Sequence, residues 1–396
     1  MIYLDNNATT RVDPAVLEVM LPWFREHYAN PSSLHQFAEG ARDALRQSRV
    51  ALGRLIGCRG DDLLWTSGAT EACNLAIFGA AAALPERRHL VVSAVEHHAV
   101  LKPHERLAAR GYDVTLVGVD ARGLVDPEEV SAALRPDTLM VSVMLANNET
   151  GVVQPCEEIG RRCEEAGVLF LCDASQAVGK IPVSVRALRC DFLALSAHKL
   201  HGPKGVGALF RRRGAPLEPL LVGGGQERDI RSGTENVPGI VGLGMAAYLA
   251  RERLAVGAYA AVERLRDALE TGLQASLPDV WVSGAGAARL PHTLHVCFAG
   301  AAGEALLQLL DEAGVCASSS SACQSNETEP SHVLRAMGVP TRYLYGSLRL
   351  GLSLETSEDE AMRALEVLRR VVPRAVAAST TPGEAAARFD AWVAAT

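Results

Sequence analysis

Val168-Leu-Phe-Leu-Cys-Asp-Ala-Ser-Gln176 and Asp191-Phe-Leu-Ala-Leu-Ser-Ala-His-Lys199 follow one pattern: a short apolar run, then polar residues at once. An apolar run without alternation fits a strand whose two faces are both covered by helices, as in a parallel sheet. The pattern recurs upstream. His89–Ser93, Tyr112–Gly118 and Leu139–Met144 read as strands, and Ala99–Arg110, Pro127–Leu134 and Cys156–Ala166 as helices between them. This alternation, from about Asp61 onward, predicts a doubly wound α/β domain with a mainly parallel sheet. Ligands of such sheets bind beyond the carboxyl ends of the strands. The polar groups expected there are Glu96-His97-His98, Asn147-Asn148-Glu149, Asp173-Ala-Ser-Gln176 and Ser196-Ala-His198-Lys199.

Downstream, Gly223–Pro238 precedes a long Ala/Leu/Arg pattern, Val241–Leu277, which reads as one helix leading into a smaller α/β domain. Thr293–Phe298, Val315–Ser318 and Leu348–Leu352 are its expected strands. Gly303–Ala313, Ser331–Met337 and Glu358–Val372 are its expected helices. The organisation expected is an amino-terminal segment, 1–12, packing with the small domain, a large domain over 13–254, and a small domain over 255–396. The Ala/Thr-rich end, roughly the last 20 residues, reads as a loosely packed tail.

Composition excludes several classes. The chain has 396 residues, 48% of them hydrophobic and 21% charged. That is the balance of a globular protein, not of a disordered one. A net charge of -7 and 5% aromatics argue against a nucleic-acid partner, which needs basic patches or stacking platforms. No basic region followed by an apolar run opens the chain. The longest uncharged apolar stretches, Ala72–Pro85 and Gly239–Ala250, fall short of the ~20 residues a bilayer needs. The 9 cysteines contain no Cys-x-x-Cys pair. These features predict a cytoplasmic protein with free thiols and no membrane partner.

Three segments carry candidate chemistry. In Ser67-Gly-Ala-Thr-Glu71, glycine and small residues open a helix and present free N–H groups to an anion such as phosphate. A simple N-cap by Ser67 or Thr70 meets the same pattern. Lys199 follows an apolar strand. A lysine near a buried strand end is suited to Schiff-base chemistry, although a lysine there is also a common surface charge. Ser196 and His198 are spare donors for a phosphate. Asp173 ends a buried strand, where an unpaired carboxylate is costly. It calls for a cationic partner, such as the protonated pyridine nitrogen of pyridoxal phosphate, or it caps a following helix through Ser175 and Gln176.

With these residues in view, the chain resembles a known family. Leu4-Asp-Asn-Asn-Ala-Thr-Thr10, Asn30-Pro-Ser-Ser33, Thr66-Ser-Gly-Ala-Thr-Glu71, Glu96-His97, Ala146-Asn-Asn-Glu-Thr-Gly151, Asp173-Ala-Ser-Gln176, His198-Lys199, Arg231-Ser-Gly-Thr234 and Ser321-Ala-Cys323 occur in order. Together they resemble the pyridoxal-phosphate-dependent cysteine desulfurases of the NifS/IscS type, within the class V aminotransferases. The resemblance spans about residue 3 to about residue 354 and implies fold type I. It implies that Lys199 binds pyridoxal 5'-phosphate covalently, that Asp173 keeps its pyridine nitrogen protonated, and that Gln176 hydrogen-bonds its phenolic oxygen. His97 is implied to stack on the ring and to act as an acid/base. Ala69, Thr70, Ser196 and His198 are implied to bind the phosphate, with Thr234 reaching it from the other subunit of a homodimer. Asn148 and Arg349 are implied to hold the substrate carboxylate; a planar bidentate donor suits that task.

Cys323 lies in Ala317-Ser-Ser-Ser-Ser-Ala-Cys-Gln-Ser-Asn-Glu-Thr-Glu329, a polar stretch with no helical or strand period. A thiol on such a loop is placed to react. The resemblance makes it the nucleophile that takes sulfur from L-cysteine as a persulfide, leaving L-alanine, and hands it to an iron–sulfur scaffold or another sulfur-acceptor protein. Cys172, Cys297 and Cys316 fall in apolar strand runs and read as inert core, and Cys156 and Cys163 as helix packing. Ser320 stands where the family carries glycine, which predicts a narrower range of loop conformations. Two other readings share the motifs. One is an aminotransferase or another lyase of fold type I, which has no need of Cys323. The other is a non-catalytic scaffold, which has no need of Lys199 or Asp173.

Overall fold

Apolar runs become strands here where helices cover both of their faces. In the computed structural model, residues 1–319 and 330–378 are described. Among them the strands are β1 (Ile2–Tyr3), β2 (Leu63–Thr66), β3 (His89–Ser93), β4 (Asp113–Val117), β5 (Thr138–Ser142), β6 (Leu169–Asp173), β7 (Phe192–Ser196), β8 (Gly207–Arg211), β9 (Val280–Val282), β10 (Thr293–Phe298), β11 (Val315–Cys316) and β12 (Ser347–Gly351). A 7-stranded sheet runs in the order β2-β8-β7-β6-β5-β3-β4. The pairings from β7 through β6, β5 and β3 to β4 are parallel. Val91, Val141, Phe170, Cys172 and Leu193 face one buried cluster, with the helices Glu39–Ile56, Cys156–Ala166 and Val237–Ala255 over it. Leu90, Val92, Met140, Leu171 and Phe192 face the other, under the helices Ala69–Ala83 and His98–Ala108. Each large side chain buried in this way contributes about 1.5–3 kcal/mol.

The edge strand β2 and its neighbour β8 were not legible as strands. They pair antiparallel with each other, and β8 with β7. The reason β8 fits is Gly207: a Cβ there would stand 2.5 Å from the Leu195 carbonyl and 2.7 Å from Gly68 Cα. Its hydrogen atom lets the turn at Gly68 lie against the sheet.

Two expected helices differ. The single helix over 241–277 is two, Val237–Ala255 and Tyr259–Ser276. Gly257, with φ at +65°, breaks it in a conformation open to glycine. The first begins earlier than expected because the Asn236 side chain accepts from Gly239 N. The last helix runs past Val372 and through Pro373 to Ala378. Burial of Val371, Val372 and Ala375 outweighs the hydrogen bond proline forfeits. The segment 379–396, read as a tail, lies outside the described residues.

The carboxyl-terminal part carries a second sheet, β12-β10-β9, antiparallel throughout. Its core joins Leu294, Val296, Leu348 and Leu350 to Leu306, Leu310 and Leu368, and includes Ile2 and Leu4 from the other end of the chain. β1 pairs parallel with β11, and Asp5 bridges to Gly351. Cys172 and Cys297 are buried, as are Cys156 and Cys163. Cys316 is half-buried, not core as expected, because β11 is a two-residue edge.

Candidate active site

The carboxyl ends of β5, β6 and β7 open on one cavity of about 660 Å³. Ala69, Thr70, His97, Asn148, Asp173, Gln176, Ser196, His198, Lys199 and Arg349 all line it. Thr234 does not; it is exposed and borders a separate hollow beside Trp65 and Arg231. Cys323 and Ser320 lie outside the described residues.

Helix Ala69–Ala83 begins at Gly68, and no side chain caps it. The expected cap by Ser67 or Thr70 is absent. Its first N–H groups therefore lack helical acceptors at the cavity wall, and the helix dipole adds positive character there. Glu71 is turned back instead. It pairs with Arg231 at 2.8 Å and accepts from Ser67 N at 2.7 Å. Burial raises its pKa, but the Arg231 and Ser67 hydrogen bonds outweigh this and hold it below the usual carboxylate range.

Asp173 ends β6 and is buried, but no helix follows it. Oδ1 accepts from Ser175 N at 2.9 Å and from the Ser175 hydroxyl, so the residue closes a tight turn rather than capping a helix. Among the described residues it has no ion pair. Gln176 donates through Nε2 to the Asn7 carbonyl at 2.9 Å, and its Oε1 is buried without a hydrogen bond.

Lys199 closes the short turn after β7. Its Nζ donates to the carbonyls of Asn7, at 2.5 Å, and Ala8, at 2.7 Å. His198 Nδ1 meets Thr9 Oγ1 at 3.1 Å. Burial, and then the positive charges of Lys199, Lys204 and Lys180, press its pKa down to about 4, so it is neutral at physiological pH. His97 is the N-cap of helix His98–Ala108: its Nδ1 accepts from Ala99 N at 3.0 Å. That leaves Nε2 as the ring nitrogen free for chemistry. Burial lowers its pKa, with Asp173 opposing and Lys199 reinforcing the shift. Next to it, Glu96 is fully buried and its pKa is pushed well up by burial, despite a hydrogen bond from Met144 N at 2.6 Å.

Asn147 explains the Asn-Asn-Glu-Thr motif. Its Oδ1 accepts from the N–H groups of Glu149 and Thr150, both at 2.9 Å, and its Nδ2 donates to the Val95 carbonyl. The turn it builds presents Asn148 to the cavity. Arg349 comes from β12, with Nη1 on the Asn148 carbonyl and Nη2 on Asp5 Oδ1, both at 3.0 Å.

Residues 2–363 match the family described as aminotransferase class-V. The chain belongs to that family, in its NifS/IscS-type cysteine desulfurase branch. A cysteine desulfurase of Trichormus azollae is 48% identical over 374 residues, covering 94% of this chain and 93% of the relative. The cysteine desulfurase NifS of Azotobacter vinelandii is 46% identical over 378 residues, covering 94% and 92%. The solved structure of a NifS-like protein superposes with a TM-score of 0.88 at 38% identity, covering 94% of this chain and 99% of that one. Members of this class V branch use pyridoxal phosphate, and it is the cofactor of this chain too. The cavity fits it. Among the described residues, the Asp173 carboxylate without an ion pair, an orphaned amide oxygen on Gln176, an uncapped helix start and the amine of Lys199 are the donor set that a phosphorylated pyridine aldehyde needs.

The class V site also uses residues the sequence reading left out. Asn7, Ala8 and Thr9 line the cavity, as do Met144, Lys204 and Ser318. The amino-terminal segment was expected only to pack with the small domain. The signal was the polar run Asp5–Thr10 inside an otherwise apolar start. No helix among the described residues is long and apolar enough to cross a membrane.

Proposed function

We infer that this chain is an L-cysteine desulfurase: it removes sulfur from L-cysteine as a persulfide on its own thiol and releases L-alanine. The observation that carries the reading is one cavity lined by Lys199, Asp173 and the guanidinium-bearing Arg349, in a chain that keeps Cys323.

Lys199 would hold pyridoxal phosphate covalently through Nζ. Asp173 would hold the pyridinium, Gln176 the phenolic oxygen, and the helix start at Ala69 and Thr70, with Ser196 and His198, the phosphate. When bound, the cofactor supplies an electron sink that stabilises negative charge at the substrate Cα. The residues do the rest. Arg349 and Asn148 take the substrate carboxylate and fix its orientation. Lys199, as a free amine with substrate in place, would take the Cα proton. His97, whose Nδ1 is taken by the Ala99 N–H, would use Nε2 to accept and return a proton. The Cys323 thiolate attacks the substrate sulfur. The Cβ–S bond breaks and its electron pair stays with the three-carbon skeleton, which takes up one proton at Cβ and regains the Cα proton from Lys199 to leave as L-alanine. The new S–S bond leaves the sulfane sulfur on Cys323, for an iron–sulfur scaffold or another acceptor protein.

A homodimer completes the site in this reading. Thr234 is exposed and stands away from its own cavity, where a second copy of the chain would receive it. The division into segment 1–12, large domain 13–254 and small domain 255–396 is part of the same proposal. It is supported by separate hydrophobic clusters, one built from Val16 to Ala250 with Leu290 added, the other from Tyr259 to Ala375 with Ile2 and Leu4 added.

The test is Cys323→Ala. The purified variant should keep its cofactor and its spectral response to L-cysteine, and should form neither sulfide nor L-alanine in a coupled assay. Normal turnover would falsify the desulfurase mechanism and favour an aminotransferase or lyase.

A further inference from the structure

Arg349 lines the cavity, yet its guanidinium is already engaged on two sides, by the Asn148 carbonyl and by Asp5 Oδ1. Its backbone is fixed too: Arg349 N donates to the Ser318 carbonyl at 2.7 Å, and Ser318 N donates back. Asp5 is held in turn. The Ser318 hydroxyl donates to the same Oδ1 at 2.8 Å, and Asp5 bridges to Gly351 at the end of β12. Asp5 itself does not line the cavity. A carboxylate therefore stands behind the cation that faces the substrate. Arg349 is buried and Asp5 half-buried, with side-chain exposure of 6% and 20%.

Two physical effects oppose each other in this arrangement. An arginine side chain held before the ligand arrives does not lose its rotamer entropy on binding. Against that, Asp5 cancels much of the positive potential, so an incoming carboxylate meets a nearly neutral pair. Attraction by bare charge is weakened, and the fit of two oxygens to two N–H groups has to supply the affinity.

We propose that Asp5 is a positioning residue for the substrate carboxylate: it locks the Arg349 fork between itself and the Asn148 carbonyl, so that recognition depends on geometry more than on charge. The proposal rests on the reading of Arg349 as the carboxylate clamp.

The experiment uses the holoenzyme and two amines, L-alanine and ethylamine, which is alanine without its carboxylate. Their dissociation constants are read from the change in the cofactor's visible absorbance, with no turnover required. Asp5→Ala frees the fork and should weaken L-alanine by about tenfold, equivalent to ~1.4 kcal/mol, while ethylamine stays within about twofold. Asp5→Asn keeps an acceptor for both Arg349 and Ser318 but removes the charge, and should tighten L-alanine. Opposite signs for the two variants are the signature. If Asp5→Ala leaves L-alanine unchanged or tightens it, charge governs the site and the proposal is overturned. If Asp5→Ala does not fold, Asp5→Asn decides alone, and unchanged or weaker L-alanine binding overturns the proposal. Arg349→Lys is the control. It should lower the preference for L-alanine over ethylamine; if it does not, the clamp reading itself fails, and the role of Asp5 with it.

Discussion

The ammonium of Lys199 rests against two backbone carbonyls, those of Asn7 and Ala8, at the far end of the chain from the strands that carry the substrate side. An amine held by hydrogen bonds at a strand end is pre-positioned for a carbonyl of the cofactor. Borohydride reduction of the holoprotein should attach the cofactor to Lys199, and peptide mapping should find it nowhere else. Lys199→Arg should give no adduct; an adduct at another lysine, Lys180 included, would sink the assignment. Lys199 and Asp173 were legible because each ends an apolar run, and a polar residue at that place is costly without a task. His97 was legible as a candidate but not as an N-cap. Only the hydrogen bond from Ala99 N shows which of its two nitrogens remains available.

The elements set the anion site. Helix Ala69–Ala83 can point uncapped N–H groups at the cavity only because β8 approaches the turn before it. Gly207→Ala would force a Cβ into the Leu195 carbonyl and Gly68. We expect a loss of about 1–3 kcal/mol in denaturant unfolding and a lower content of bound cofactor, since the backbone that must shift is the phosphate turn. Gly40→Ala is the comparison: nothing lies within 4 Å of its Cβ position, and it sits in helix Glu39–Ile56. It should gain about 0.5 kcal/mol and leave cofactor content alone. Equal cofactor contents in the two variants would remove the link between β8 and the phosphate turn. The parallel strands were readable from their unbroken apolar runs. β2 and β8 were not, because four residues at an edge or a run opened by glycine carry too little pattern.

Across the whole molecule, several histidines are buried as neutral bases. Burial brings the pKa of His104 down to about 4 and that of His295 to about 3, against the 6.5 of a free side chain. Near pH 7 and above, neither state carries these protons and they do not affect stability. Below 6.5 the unfolded chain binds them and the native state does not, so stability falls until the native pKa is passed. Stability in thermal or denaturant unfolding should therefore fall progressively between about pH 6.5 and pH 4. His104→Asn should make that slope shallower by up to one proton, ~1.4 kcal/mol per pH unit. The slope is the quantity to compare, because the substitution also disturbs the hydrogen bond to the Val100 carbonyl. An unchanged slope would mean that His104 is protonated in the fold.

The alternation of buried strands with helices is written in the residues, and with it the place of Glu96-His97, Asn148, Asp173 and Lys199 just past strand ends. That information is local: burial on both faces demands an unbroken apolar run, and the first polar residue after it marks the carboxyl end. Tertiary structure alone decided which of these ends meet. Asp5 and Arg349 join across 344 positions, and Asn7 receives hydrogen bonds from Gln176 and Lys199. Thr234, from an equally recognisable motif, stays out of the same cavity. Neighbouring residues fix a strand or a turn, because those depend on periods of a few positions. The order of strands in the sheet and the return of the amino-terminal segment across it depend on packing between distant segments, and no local period encodes that.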